Sequence, residues 1–471
     1  MTTQSQGAAA SSVEPNNQKL KTRHITMMGL GSAVGAGLFL GVGVGIQASG
    51  TSVLLAYAIA GLLVAVIMFM LGELASARPS LGSFSTYAGQ AFGNWARFTN
   101  GWMYWFMLIM VMGTEITGAA AIISGWFGVD PWIPALIAVT FFAVVNFAAV
   151  RGFGEFEFWF AIIKVAVIVA FLVLGTLLAI GLWPNTDTAN LSNFTDNFLP
   201  NGVPGFAAGL LAVAFAFGGI ELVTIAAAES EDPSHNVATA VRAIIFRIII
   251  FYIGSVLLIA LLLPFSQIQN ADVAAQSPFT QVLGLANVPG AVGFMEAIIA
   301  IALLSAFNAQ IYATSRLVYD MAEDGNAPGF FLKKNHSGAP INAVILSMIF
   351  AFASVGLQYW NPEGLLAFLF NAVGGCLLVI WIFITAAYIK LHPELIRNGE
   401  TSVMRVSGFP VVPILVLVGL GVLIVLMLFD ESARGQIFAV AILTAVLAVL
   451  AFAFGGKGSG KRHERELNAS S

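Results

Sequence analysis

The stretch Met28-Gly29-Leu30-Gly31-Ser32-Ala33-Val34-Gly35-Ala36-Gly37-Leu38-Phe39, continued by Gly41, Gly43 and Gly45, threads glycine through an apolar run that begins near Ile25. An apolar run of about 20 residues is long enough to cross a bilayer core. Lipid offers no partner to backbone groups, so such a run must be helical. Glycine inside it either lets a neighbouring helix approach or interrupts the helix. A second run shares this character, Phe215-Ala216-Phe217-Gly218-Gly219-Ile220-Glu221. Gly35-Ala36-Gly37 and Gly218-Gly219 sit at equivalent depths of the first and sixth apolar runs, roughly 180 residues apart. Paired interruptions in two halves point to the midplane site of a transporter. A broken helix frees N–H groups that bind a carboxylate and carbonyls that accept from an ammonium. A zwitterionic α-amino acid carries both groups. Close helix packing is the competing reading for any one of these glycines.

Outward from these two runs, the whole chain has the same solvent. Hydrophobic residues fill 58% of 471 positions, and charged residues only 9%. A soluble domain carries roughly 25% charge, so the chain reads as an all-α integral membrane protein. Its apolar runs lack the alternating polar face that a membrane β-barrel requires. Candidate spans lie near 25–48, 52–77, 97–127, 131–150, 158–182, 204–227, 238–263, 289–321, 341–360, 364–389, 409–429 and 435–454. The breaks carry turn chemistry, among them Asp130-Pro131, Asp232-Pro233-Ser234 and Asn361-Pro362.

Charge placement tests this count. Of the 20 Lys and Arg, all but Lys164 and Arg434 fall in the tails and in alternate loops. The positive-inside rule then predicts about twelve spans with both termini cytoplasmic. The first and sixth spans are five apart. The expected architecture is a five-plus-five inverted repeat with discontinuous helices one and six, plus two C-terminal helices. The expected divisions are a disordered tail at 1–18, a first repeat at 19–182, a second at 183–390, two further spans at 391–456, and a basic tail at 457–471. The N-terminal tail has no apolar segment of a secretory signal.

Several function classes find no support. The histidines His24, His235, His336, His392 and His463 all fall in predicted loops or tails and read as solvated, with no metal-ligand spacing. The single cysteine, Cys376, lies in an apolar run and reads as packing. Neither a Walker A loop nor a G-x-S-x-G elbow occurs. The Lys461-Arg462-His463 cluster reads as a topology and lipid anchor, so the expected partners are the bilayer and a small substrate, with no nucleic acid and no protein partner. A channel should show filter-like loops or charged rings. A membrane-embedded enzyme should show a catalytic constellation at membrane depth. Neither pattern is visible.

The run Gly31–Phe39 resembles the first-helix signature of the amino acid–polyamine–organocation superfamily. Gly154-Glu155-Phe156-Glu157-Phe158-Trp159-Phe160 with Lys164, Phe215–Glu221, Ala226-Ala227-Ala228-Glu229, Asn308–Arg316 and Gly325-Asn326-Ala327-Pro328 are similar to further motifs of its bacterial amino acid transporter branch. The resemblance runs from about residue 20 to 430 and leans toward actinobacterial aromatic amino acid permeases. It implies the inverted-repeat fold and proton-coupled uptake of phenylalanine, tyrosine and tryptophan across the bacterial cytoplasmic membrane. No cofactor is implied beyond the proton as coupling ion. A permease of the same branch for γ-aminobutyrate or another neutral amino acid is the alternative. By position, the backbone of Val34, Gly35, Ala36 and Gly37 would receive the substrate carboxylate. Carbonyls from Phe215 to Gly218 would hold the amine, with Phe215 as gating aromatic and Phe217 flanking the ring. Ordinary packing is the competing reading for both phenylalanines.

Charges at membrane depth are functional hypotheses by default. Lys164 lies about ten residues past Gly154 at the cytoplasmic mouth of the fifth run, so snorkelling would require its stem to reach back roughly 15 Å. Facing inward, it stands where sodium-dependent relatives of this fold hold a cation, and it suits proton coupling. Glu115 interrupts the third run, either lining the substrate cavity or bonding neighbouring hydroxyls. Glu221 follows the sixth-run interruption and matches a family position tied to proton sensing, with a helix-stabilising carboxylate as the rival reading. Ser305 and Asn308 face the cavity or bond between helices. Glu229 and Arg316 form an inward gate or pair at the surface.

Overall fold

Uninterrupted Val, Leu, Ile, Ala and Phe leave the backbone to satisfy itself, so each run between Gly, Pro and Asn breaks winds into helix. The protein is described by a computed structural model that covers residues 34–80, 83–148, 153–184, 191–221, 233–268, 277–335, 338–362, 364–400 and 402–454. Among these residues the regular structure is helical, apart from one isolated bridge between Lys334 and Pro340. Eight stretches are long and apolar enough to cross a membrane: Ala36–Ala77, Asn94–Phe127, Phe158–Ala179, His235–Leu262, Ala291–Glu323, Ile341–Trp360, Leu365–Arg397 and Ala433–Phe454. Shorter apolar helices cover Trp132–Phe147, Gly202–Ala216 and Val411–Met427. The two tails, together with Met28 to Ala33 and Glu229, lie outside the described residues.

The predicted breaks end helices for identifiable reasons. Asn361 closes Ile341–Trp360 with φ of 47°, a left-handed conformation that asparagine tolerates better than most residues. The first stretch, Ala36–Ala77, is divided by a tight turn at Gly50–Ser52, which separates Gly41–Ser49 from Val53–Ala77.

Two helices wall the interior. Of the most apolar window of Asn94–Phe127 and of Leu365–Arg397, 72% is inside the protein, against 11% for Ala433–Phe454. The last helix therefore presents Phe438, Ile442, Val449 and Phe452 outward, which lipid accepts as readily as a core does. Asn94–Phe127 runs antiparallel to Ala291–Glu323, and glycine sets the spacing. A Cβ on Gly118 would lie 3.0 Å from Leu303 Cδ1, and one on Gly101 would lie 2.8 Å from Met321 Sδ. Asn146 Nδ2 donates to Asn308 Oδ1 at 2.8 Å, which ties Trp132–Ala148 to the same helix. That is the interhelical reading of Asn308.

One expectation is overturned. His392, read as a solvated loop histidine, is buried with 6% exposure, because Leu365–Arg397 continues helically past the end of its apolar run. Its ring lies 4.4 Å from that of Phe409, and its Nδ1 is 3.0 Å from Glu73 Oε1, outside hydrogen-bond alignment. The chain after Arg397 folds back over the end of Val53–Ala77 and covers this corner. Glu73 Oε2 accepts from the Tyr388 hydroxyl and from the Val406 N–H, both at 2.8 Å. Arg78 Nε and Nη2 donate to the two oxygens of Glu400 at 2.6 and 2.7 Å. This paired grip of Arg78 holds the Glu400 carboxyl well below its ordinary range, at about 2.

Candidate functional site

The Ala36–Phe39 turn starts after Gly35, whose extended backbone and missing side chain leave the first N–H without a local cap. A group from another helix answers it. Both carboxylate oxygens of Glu115 accept from Ala36 N, at 3.1 and 3.2 Å. Only glycine at position 35 permits this approach undisturbed, because a Cβ there would lie 2.6 Å from Glu115 Oε1. Of the two readings of Glu115, lining a cavity is the one its position matches. The neighbouring Thr114 hydroxyl donates to Met110 O of its own helix at 2.9 Å.

The second interruption follows Gly202–Ala216. Residues Phe217 to Glu221 leave the helix through a turn in which Gly219 has φ of 83°, a conformation strained for any side chain. Gly218 N donates to Phe215 O at 2.8 Å, and the Tyr252 hydroxyl donates to Ala216 O at 2.7 Å. Tyr252 belongs to a π turn, Ile248–Ile253, and such turns are frequent at functional sites. The two interruptions touch backbone to backbone: a Cβ on Gly37 would lie 2.9 Å from Ala216 Cα.

A small cavity opens where they meet. Of the residues singled out from the sequence, Gly35, Gly37, Glu115, Phe215 and Gly218 line it. The Phe215 ring meets Phe370 edge-on, with centroids 4.1 Å apart. Val34 and Ala36 are buried beside the cavity without lining it, although the Ala36 N–H holds Glu115. Phe217 turns away, into a cluster with Tyr57 and Tyr252 at 5.9 and 5.4 Å between centroids. That is its packing reading. Lys164 is buried on Phe153–Ala179 with 2% exposure. Glu221, fully buried, accepts from Trp381 Nε1 at 2.9 Å and does not line the cavity.

Sequence reasoning did not single out Leu108, Val111 or Gln310 as site residues, and all three line the cavity together with Ala216 and Gly219 of the second interruption. A signal existed for the first two. Leu108, Val111 and Glu115 are three and four apart, which sets them on one helical face. Gln310 was legible as an amide inside an apolar run. Arg316 stacks over the Tyr312 ring at 5.2 Å, while its suggested partner Glu229 lies outside the described residues. The side chains of Glu155 and Glu157 also lie outside the described residues. Among the described residues, no three His, Cys, Asp or Glu side chains are grouped to hold a metal ion.

Chemically, the cavity presents one backbone donor held by a carboxylate, a turn of backbone carbonyls, apolar walls and one amide. Ala216 O is already engaged, but a carbonyl retains a second lone pair. Such a surface suits a small molecule with both charges and an apolar body.

Comparison with known sequences places this geometry in context. A family profile described as amino acid permease matches residues 24–469. The aromatic amino acid transport protein AroP of Corynebacterium glutamicum is 62% identical over 435 residues, 92% of this chain and 94% of the relative. The γ-aminobutyric acid permease of Bacillus subtilis is 37% identical over 436 residues, 92% of each chain. The AroP protein of Escherichia coli O157:H7 is 33% identical over 433 residues, 91% of this chain and 94% of the relative.

Proposed function

The chain belongs to the amino acid permease family, and on that premise we propose that it imports phenylalanine, tyrosine and tryptophan with protons across the bacterial cytoplasmic membrane by alternating access. The observation that carries the substrate class is the 62% identity, over 92% of the chain, to a relative named for aromatic amino acid transport. In this reading the chain has two inverted repeats of five spans, 19–182 and 183–390, then two spans in 391–456, with both termini cytoplasmic. The segregation of Lys and Arg supports that topology.

Glu115 holds the place that a substrate carboxylate takes. An arriving amino acid replaces it at the Ala36 N–H, and the released Glu115 carboxylate faces the substrate ammonium together with the carbonyls around Phe215 to Gly218. Phe215 then covers the aromatic ring. Lys164 is the coupling group. In this reading, gain or loss of its proton alters how firmly Glu115 competes with substrate. A ligand shifts the balance of access states only by its differential affinity for them. Proton and amino acid are then linked, with reciprocal effects of equal size. Glu221, buried under Trp381 beyond the second interruption, is the second proton-sensing group in this reading.

The test is uptake of labelled phenylalanine by cells and proteoliposomes, with competition by the twenty amino acids and with and without a protonophore. Tyrosine and tryptophan should compete, and the protonophore should abolish accumulation. If γ-aminobutyrate or glycine outcompetes all three aromatic amino acids, the substrate assignment fails.

A further inference from the structure

We infer that Gln310 discriminates among aromatic substrates, its side-chain carbonyl accepting from the ring N–H of tryptophan or the O–H of tyrosine, for which phenylalanine has no equivalent. The inference rests on the aromatic reading above and specifies which part of the wall reads the ring.

Gln310 lies on Ala291–Glu323 and lines the cavity, with 8% exposure. Its Oε1 is buried and has no hydrogen-bond partner within the protein. Leaving such an acceptor unsatisfied costs about 1–3 kcal/mol, so native proteins retain few of them. One at the wall of a cavity is where a ligand donor is missing. The amide turns about its last bond, so either its carbonyl or its NH2 can face the cavity.

The position of Gln310 decides which part of the substrate it meets. Asn94–Phe127 and Ala291–Glu323 run antiparallel, with Gly118 against Leu303 and Gly101 against Met321. Interpolating between those contacts sets Gln310 level with Val111, which also lines the cavity. Glu115 stands four residues away on the same face, about 6 Å along the axis at 1.5 Å per residue. Gln310 is thus separated along the bundle from the Ala36 N–H, at the depth where the body of a substrate lies when its carboxylate is held there. Leu108, Val111 and Phe215 supply apolar surface around this level. Among the lining residues only Glu115 and Gln310 carry polar side chains. One is at the head of the substrate and the other beside the ring. A site built to bond a substrate N–H or O–H rejects the analogue that lacks it, because its own buried group stays unpaired.

The experiment measures competition against labelled phenylalanine by the full-length protein in proteoliposomes. The competitors are tryptophan, tyrosine, and 3-benzothienylalanine, which is tryptophan with sulfur in place of the ring N–H. In the wild type, tryptophan should compete about tenfold better than the sulfur analogue, the effect of one buried hydrogen bond. Gln310→Leu should close that gap, read as the ratio of half-inhibition by tryptophan to that by its sulfur analogue. Equal competition by tryptophan and its sulfur analogue in the wild type would overturn the inference without needing the variant. So would an equal loss of all three aromatic amino acids in a folded Gln310→Leu protein, which is the result expected if the amide served the ammonium or the packing. If no aromatic amino acid competes in the wild type, the substrate reading falls, and this inference with it. If aromatic competition holds but the gap is absent, this inference alone falls.

Discussion

The two interruptions look alike in sequence, glycine-rich and at equivalent depth, yet they are held by different chemistry. At Gly35–Ala36 the free group is a donor, and its partner is the carboxylate of Glu115, which in the proposed reading yields its place to the substrate. After Ala216 the free groups are acceptors, and neutral donors fix the neighbourhood: the Tyr252 hydroxyl on Ala216 O and the Trp381 indole on Glu221. One break is held by a carboxylate from another helix, the other by aromatic side chains packed into the core. The difference teaches that a glycine motif marks where backbone is freed, while the surroundings decide whether it is available to a ligand.

The sharpest way to break this comparison is to ask which interruption carries the proton. Lys164→Ala and Lys164→Gln should lose pH-driven accumulation altogether while equilibrium binding of phenylalanine survives. Uptake into proteoliposomes under an imposed pH gradient, a sodium gradient or neither reads the result. Full accumulation by Lys164→Ala, or accumulation that follows sodium, would move coupling away from the first break, with Glu221→Gln as the next variant to assay.

A somewhat smaller effect separates contact with a side chain from contact with a backbone. Gly37→Leu must force Ala216 aside, so binding should be abolished and the melting temperature lowered, with membrane insertion intact. Gly35→Ala meets only the movable end of Glu115, and should weaken binding while melting near wild type. If Gly37→Leu inserts well and binds normally, the first interruption is not part of the site.

Phe215 and Phe217 give a comparison within the second break. Phe215→Ala should weaken phenylalanine binding by about 1–3 kcal/mol, the scale of one buried aromatic contact. Phe217→Leu should cost thermal stability and leave half-saturation within about twofold, because its ring packs on Tyr57 and Tyr252. A substrate effect as large at Phe217 would dissolve the distinction between wall and core.

The smallest effect is expected far from both breaks, at Arg78–Glu400. The carboxyl of Glu400 is depressed in the folded protein, to about 2. Its contribution to stability is therefore present above the ordinary carboxylate pKa and is lost as pH falls through that depressed value. Partly exposed pairs of this kind contribute about 0.2–1 kcal/mol. Glu400→Gln should lower the melting temperature slightly at neutral pH, and the gap should narrow as pH falls below about 4. Changed substrate affinity in that variant would tie this corner to the site.

Much of the helical layout was legible because lipid leaves a chain few options, and glycine in an apolar run is a strong local signal. Gly35, Gly37, Glu115, Phe215 and Gly218 were readable as candidates for that reason. Gln310 was harder, because one amide in a long helix does not disclose which neighbour it faces. That depends on the register between two helices far apart in sequence, set here by contacts at Gly101 and Gly118. Phe217 was read together with Phe215, with packing as the other reading open for it, and residues two apart in a helix point to nearly opposite sides. His392 and Glu73 were hidden for another reason. Hydropathy reports where an apolar run ends, and it cannot report that the following residues, Val406 and Phe409 among them, fold back over the helix.

The wall of the cavity is built partly of main chain and partly of side chains, and the two parts have different prospects under mutation. A peptide N–H is the same whichever residue bears it, so codon changes barely reach the head of the site. They do reach Gly35, Gly37 and Gly219, where any replacement moves a neighbour or strains the chain. In the proposed reading, changes at Leu108, Val111 or Gln310 would alter only what is accepted beyond the head. On that reading, the range of side chains carried can drift under mutation more readily than the capacity to carry amino acids at all.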